Sequence, residues 1–141
     1  MQISIEKAMI AGVLLCASWA ALGGQKAVPF EPFLDCAALK VSHALFLKES
    51  GPNTGDEMHK LERGAQFFLQ IAESLSERHL RDEFMASAEQ ERDRAEKLFR
   101  AGGADAIVLR YKQRDNECSG LVQKHQQEIM KAADRLYAGQ R

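Results

Sequence analysis

The chain has 141 residues, of which 45% are hydrophobic and 28% are charged, so it has the size and composition of one globular domain. Its 19 basic and 20 acidic side chains give a net charge of -1, so it lacks the overall positive charge that attracts nucleic acid. With 10 glycines and 3 prolines, the composition also excludes collagen-like and low-complexity sequence. We therefore expect no nucleic-acid partner.

The N-terminal segment has the pattern of a signal peptide. The run from Ala8 to Gly24 contains no charged side chain and follows Lys7. Small residues fit a cleavage site either between residues 20 and 21 or between residues 23 and 24. We expect export to the periplasm or beyond the cell, with an uncleaved membrane anchor as the alternative. The sequence is thus divided into a signal peptide (1–20), a linker (21–31) and a helical domain (32–141).

The cysteines predict one disulfide. An exported chain folds in an oxidising compartment, where paired cysteines become structural bridges. Cys16 would leave with the signal peptide, and because Leu15 precedes it, it lacks the small residue that lipidation needs at that position. Cys36 and Cys118 remain, and neither lies in a C-x-x-C motif, so we expect a Cys36–Cys118 disulfide rather than a reactive thiol.

Apolar spacing predicts the first two helices. Helix one is expected from about Pro32 to Glu49, with one apolar face that contains Leu34, Ala38, Val41 and Leu45. The loop SGPNTG ends it, and Thr54 followed by Glu57 is a capping-box pattern for helix two. The apolar seam of helix two is the most regular in the chain and consists of Met58, Leu61, Ala65, Phe68, Ala72 and Leu75.

The boundary between helices two and three carries only a weak signal, because it contains neither glycine nor proline. A single rod from Gly55 to Ala101 would be about 70 Å long, which is out of scale for a domain of this size. Ser74 followed by Glu77 is a second capping-box pattern, so we predict a break near residues 74–80. Helix three continues the apolar seam and ends near Ala101, before two glycines; its seam contains Leu80, Phe84, Ala88, Ala95 and Leu98.

Helix four is the last and longest of the predicted helices, with Asp105 as its cap. Its seam keeps a three-four spacing through Val108, Tyr111, Asp115, Cys118, Val122, His125, Ile129, Ala132 and Leu136. Asp115 and His125 interrupt this seam and form a possible buried polar seam. Either His125 is buried and neutral, or the helix turns enough for both side chains to reach solvent or a hydrogen-bond partner.

Four helices with short connections predict an all-α fold, a small antiparallel four-helix bundle stapled by one disulfide. The disulfide would join the beginning of helix one to a point about a third of the way along helix four. The end of helix four would then extend beyond helix one, and the segment Val28 to Phe33 is a candidate to cover it.

Two other features of the helices carry predictions. The charged run Glu89 to Lys97 has the side-chain pairing of a solvated helix face. Gly64 lies inside helix two, where glycine is unfavourable, so we expect it to permit close approach of another helix.

Residues for catalysis or cofactor binding are scarce. The four histidines have no repeated spacing, and the carboxylate-x-x-His motif of di-iron bundles occurs once, at Asp56 and His59. Met58 with His125 is the only haem-ligand pair worth weighing, and Met58 fits an ordinary core seam better. The sequence contains no H-E-x-x-H, G-x-S-x-G or phosphate-binding glycine loop. We expect no enzyme activity, no metal and no cofactor.

The function that these features favour is non-catalytic binding of another protein in the bacterial envelope, as an inhibitor, immunity or adaptor protein. An acid-stress periplasmic chaperone and a cofactor-binding bundle are the alternatives. In layout alone, a leader followed by a small helical domain with one disulfide is similar to immunity proteins of type VI secretion amidase effectors and to periplasmic acid-stress chaperones. That similarity covers the helix count and one disulfide, so it assigns a role to no residue.

Overall fold

The computed structural model describes residues 27–51 and 55–140, and most of these residues are helical. Its helices are α1 (Glu31–Ser50), α2 (Gly55–Ser76), α3 (Arg81–Lys124) and α4 (Gln126–Ala138). The all-α prediction is confirmed, and α1 begins and ends within one residue of its predicted bounds. The predicted signal peptide, most of the linker and the Thr54 cap lie outside the described residues.

Helix α3 consists of two arms that meet at Gly103. The backbone leaves helical geometry there, with φ of 73°, a left-handed value that glycine adopts without strain. The predicted stop after Ala101 is therefore correct within two residues. We call residues 81–102 arm A and residues 104–124 arm B. Glu91 on arm A pairs with Arg110 on arm B, so the chain reverses direction at the break.

The two arms, α1 and α2 form the antiparallel bundle. Asp35 near the start of α1 accepts a hydrogen bond from Ser87 of arm A at 2.8 Å, and Phe99 near the end of arm A lines a groove with Phe46 near the end of α1, so arm A runs alongside α1 in the same direction. Arm B runs in the opposite direction, because Cys118 is joined to Cys36 whereas Tyr111 contacts Ser42, farther along α1. Helix α1 lies between its neighbours, and its N-terminal half is buried on nearly every side.

The break between α2 and α3 falls at residues 77–80, inside the predicted interval. The capping mechanism proposed for it is wrong, because the Ser74 hydroxyl donates to the Gln70 carbonyl within α2 at 2.7 Å and caps nothing. Instead, Glu77 takes a left-handed φ of 57°, and the buried Leu80 places its N–H 3.0 Å from the Glu73 carboxylate. A side chain of α2 thus satisfies the first free donor of the next helix.

The long last helix expected from the sequence bends at His125, where the backbone has φ of -112° and ψ of 21°. The bend turns α4 onto the C-terminal half of α2 and buries Ala132. The end of the chain therefore packs on α2 instead of extending past α1. Phe33, which is fully buried, has its ring centroid 6.2 Å from that of His125, so the start of α1 covers this bend.

The seam predicted for the last helix is correct at Tyr111, Cys118 and Ala132, which are buried. At the beginning of the helix the predicted seam is shifted by one residue, since Ile107 is buried whereas Val108 is exposed. None of the described helices is long and apolar enough to cross a membrane.

Candidate functional site

Two apolar grooves lie at opposite ends of the bundle. The α1–α3 groove has a volume of about 450 Å³ and lies between the C-terminal half of α1 and the two arms of α3, near Gly103. The α2–α4 groove has a volume of about 600 Å³ and lies where α4 packs on the C-terminal half of α2.

The α1–α3 groove has apolar walls and a polar floor. Its walls are Leu45 and Phe46 of α1 and Phe99 and Ile107 of α3. Phe99 is 52% exposed and Leu45 is 46% exposed, although both are large apolar side chains. Glu49, Arg92 and Glu96 form a charged rim. Exposed apolar anchors inside a charged rim are the usual composition of a protein-binding cleft.

The floor of the α1–α3 groove is fixed by a buried hydrogen bond. The hydroxyl groups of Ser42 and Tyr111 lie 2.9 Å apart, and burial raises the pKa of the tyrosine. The His43 ring stacks on the Tyr111 ring with centroids 4.3 Å apart and planes 14° apart. Burial, followed by the nearby Lys40 charge, lowers the pKa of His43, which is therefore neutral at pH 7. These contacts hold α1 against arm B directly below the groove.

The two residues of the predicted polar seam lie in different surroundings. Asp115 is half-exposed and forms an ion pair with Lys40 of α1. His125 is half-buried at the bend between α3 and α4, beside Phe33. The structure does not bring the two side chains into one site.

A buried ion cluster is the largest feature that the sequence analysis missed. Glu91 is 2% exposed, and its carboxylate accepts hydrogen bonds from Arg110 at 2.9 and 3.0 Å and from Arg94 at 2.7 Å. Arg110 Nε is buried without a hydrogen-bond acceptor among the described residues. The sequence did contain a signal, because the seam of helix three passes from Ala88 to Ala95 and Glu91 fills the position between them. The cluster fastens arm A to arm B.

Other members of the charged run behave as predicted. Glu89, Arg92, Asp93 and Lys97 are exposed, as expected for a solvated helix face. The run is therefore solvated except at Glu91.

The disulfide joins Cys36 and Cys118 across 82 residues of sequence, with Cα atoms 5.9 Å apart. Both cysteines are buried, and they link the beginning of α1 to arm B. The bridge therefore fixes the two helices that carry Ser42 and Tyr111, the floor of the α1–α3 groove.

The residues considered for metal and haem binding are separated. His59 is exposed and lies 3.2 Å from Glu62 on the same helix. Met58 is half-buried near the beginning of α2, whereas His125 lies at the opposite end of the bundle. Within residues 27–51 and 55–140, no cluster of three or more His, Cys, Asp or Glu side chains could hold a metal ion.

Comparisons with protein-family models, with curated proteins and with solved structures give no match.

Proposed function

We propose that the protein is an exported, non-catalytic binding protein of the bacterial envelope, and that it binds another protein through the α1–α3 groove. The observation that carries this proposal is the exposure of Phe99 and Leu45 in a groove whose floor is rigid. A rigid floor lowers the entropy lost on binding, because the groove is already formed in the free protein.

The shape of the groove favours an amphipathic helix as the bound segment. Along α1 the groove runs from Ser42 to Ser50, a length of about 12 Å, or roughly two helical turns. Two turns present apolar side chains at positions i, i+3, i+4 and i+7, which is the spacing that helix-in-groove recognition uses. Apolar anchors of the partner would contact Phe99 and Leu45, and polar residues of the partner would meet Glu49 and Arg92 at the rim.

Site-specific photo-crosslinking in the envelope of producing cells tests the proposal. A photo-reactive residue in place of Phe99 is expected to capture one partner protein. The same residue in place of Asp93, which is exposed on the same arm outside the groove, is the matched control and is expected to capture nothing. Absence of a product at position 99, or the same products at both positions, would contradict the proposal.

Export has its own test. The apolar run Ala8 to Gly24 supports removal of a signal peptide during export. Mass spectrometry of protein from the periplasmic fraction is expected to find a chain that begins at Ala21 or Gly24. An intact N-terminus in the membrane fraction would instead support an anchor, and an intact N-terminus in the cytoplasm would contradict export.

A second candidate function, an acid-stress chaperone, is favoured by His43. Its ring is stacked on Tyr111 at the interface of α1 with arm B, and Lys40 lies nearby. Protonation on acidification would add a positive charge to this half-buried ring beside Lys40 and loosen the interface, while the Asp115 and Glu57 carboxylates would offset part of that effect. If this is the function, the protein suppresses aggregation of a client at pH 5.5 and not at pH 7.5, and His43→Phe lacks that pH dependence. Equal suppression by the two proteins at both pH values would contradict it.

A further inference from the structure

The α2–α4 groove carries a second inference, which is independent of the α1–α3 groove. Its floor contains the buried Ile71 and the half-buried Ile129. Beside this floor stand three large exposed side chains: Phe67 at 49%, Leu136 at 46% and Tyr137 at 66% exposure. Tyr137 is the most exposed large hydrophobic residue of the described chain. The same patch thus contains both a cleft and projecting side chains that would fit a cleft.

The charges around the groove indicate what kind of partner would fit. Glu73 and Glu77 lie on its rim, as do Arg78 and His79. Arg78 is paired with Glu83 and His79 lies 3.6 Å from Glu73, whereas Arg135 of α4 and Glu77 are both largely exposed and lie 3.9 Å apart. Acidic and basic groups are therefore balanced. A strongly acidic or strongly basic partner would gain little from such a rim, whereas a surface with the same alternation of charge would be complementary to it.

We propose that the α2–α4 groove is the interface between two copies of this chain, related by a two-fold axis. A two-fold interface uses the same patch on both subunits, so each patch must offer a projection and a receiving cleft. Tyr137 of each copy inserts into the cleft above Ile71 of the other copy, and Glu77 of one copy faces Arg135 of the other. Tyrosine is among the residues that dominate binding energy in interfaces of this kind.

This arrangement leaves the proposed binding site open. The α2–α4 groove is at the end of the bundle that contains the bend at His125, whereas the α1–α3 groove is at the end that contains Gly103. A dimer would therefore present two α1–α3 grooves facing away from each other, and two-site binding would increase avidity for a repeated or dimeric partner.

Sedimentation velocity of the purified protein, from low micromolar to several hundred micromolar, tests the proposal. The expected result for the wild type is a concentration-dependent species of twice the mass of one chain. Tyr137→Glu is expected to weaken dimerisation by about 30-fold or more. Met130→Glu is the matched control, because Met130 is also exposed on α4 but does not line the groove, and it is expected to leave dimerisation unchanged.

Several results would overturn this inference. If the wild type has the mass of one chain at every concentration, the inference is overturned without any variant. That holds whether the groove is empty or is filled by another segment of the same chain. Equal weakening by Tyr137→Glu and Met130→Glu also overturns it. Circular dichroism of each variant confirms the fold, and Phe67→Glu replaces Tyr137→Glu if the latter is unfolded. Dimerisation is measured without the partner of the α1–α3 groove, so failure of this inference is distinct from failure of the proposed function.

Discussion

Loss of the disulfide is expected to lower the stability of the bundle by a large amount. Cys36 and Cys118 close a loop of 82 residues. In the chain-entropy model, the bridge restricts the unfolded chain and stabilises the folded one by about 4.5 kcal/mol. That is a large share of the stability of a small domain, which is typically about 5 to 15 kcal/mol.

The same figure gives an expected change in melting temperature. With an unfolding entropy of about 2.1 cal/mol/K per residue and about 110 ordered residues, a loss of about 4.5 kcal/mol lowers Tm by roughly 20 °C. The variant Cys36→Ala/Cys118→Ala removes the bridge and, since both side chains are buried, also removes two sulfur atoms from the core. Reduction of the wild-type protein breaks the bridge but keeps both sulfur atoms, so the reduced protein is the matched control.

Thermal and urea unfolding, followed by circular dichroism, measure this effect in the oxidised, reduced and double-alanine proteins. We expect the reduced protein to lose most of the stability that the double variant loses, because the bridge contributes more than the sulfur packing. Thiol titration of the unfolded, unreduced mature protein is expected to find no free thiol. A loss below about 1 kcal/mol on reduction would refute the chain-entropy argument, and two reactive thiols would refute the bridge itself.

Three further changes are expected to shift stability in stated directions. Glu91→Ala removes the buried carboxylate that binds Arg110, whose side chain is 26% exposed, and should destabilise the protein by about 2 kcal/mol, whereas Glu96→Ala, at an exposed pair, should cost less than about 0.5 kcal/mol in urea unfolding. The close helix approach expected at Gly64 is not found, because an added Cβ would lie 3.5 Å from the flexible Lys40 side chain and near no backbone; Gly64→Ala should therefore stabilise by about 0.5 to 1 kcal/mol, and a lower Tm would show that glycine is required. The lowered pKa of His43 means that the unfolded state takes up its proton first as pH falls below about 6.5, so stability should fall between pH 7.5 and 5.5. His43→Phe should remove part of that fall; a pH dependence equal to that of the wild type would contradict the role of His43.

The sequence predicted the helices well where packing follows a regular apolar seam. Ala65, Phe68 and Ala72 are buried in α2 as the three-four spacing requires. The glycine pair after Ala101 also predicted the reversal between the arms, because a left-handed φ is a local property that glycine permits. Both features depend on residues that are close together in the sequence, so the spacing of apolar residues and glycines is enough to predict them.

Features that depend on distant parts of the chain were predicted less well. The bend at His125 has no glycine or proline, and it forms because α4 can then bury Ala132 against α2. Glu91 was assigned to a solvated face because its partner Arg110 is 19 residues away, on the other arm. The grooves themselves arise from the relative placement of helices, so spacing within one helix could not predict them.

Most directly, calorimetric titration with the partner captured through position 99 tests whether the α1–α3 groove is the binding site. Leu45→Glu places a charge on the groove wall, and Met85→Glu makes the same change at an exposed position on α3 outside the groove. Our account predicts that Leu45→Glu raises Kd by about 30-fold or more and that Met85→Glu leaves Kd unchanged. Wild-type affinity in Leu45→Glu, with the variant folded, would contradict the account.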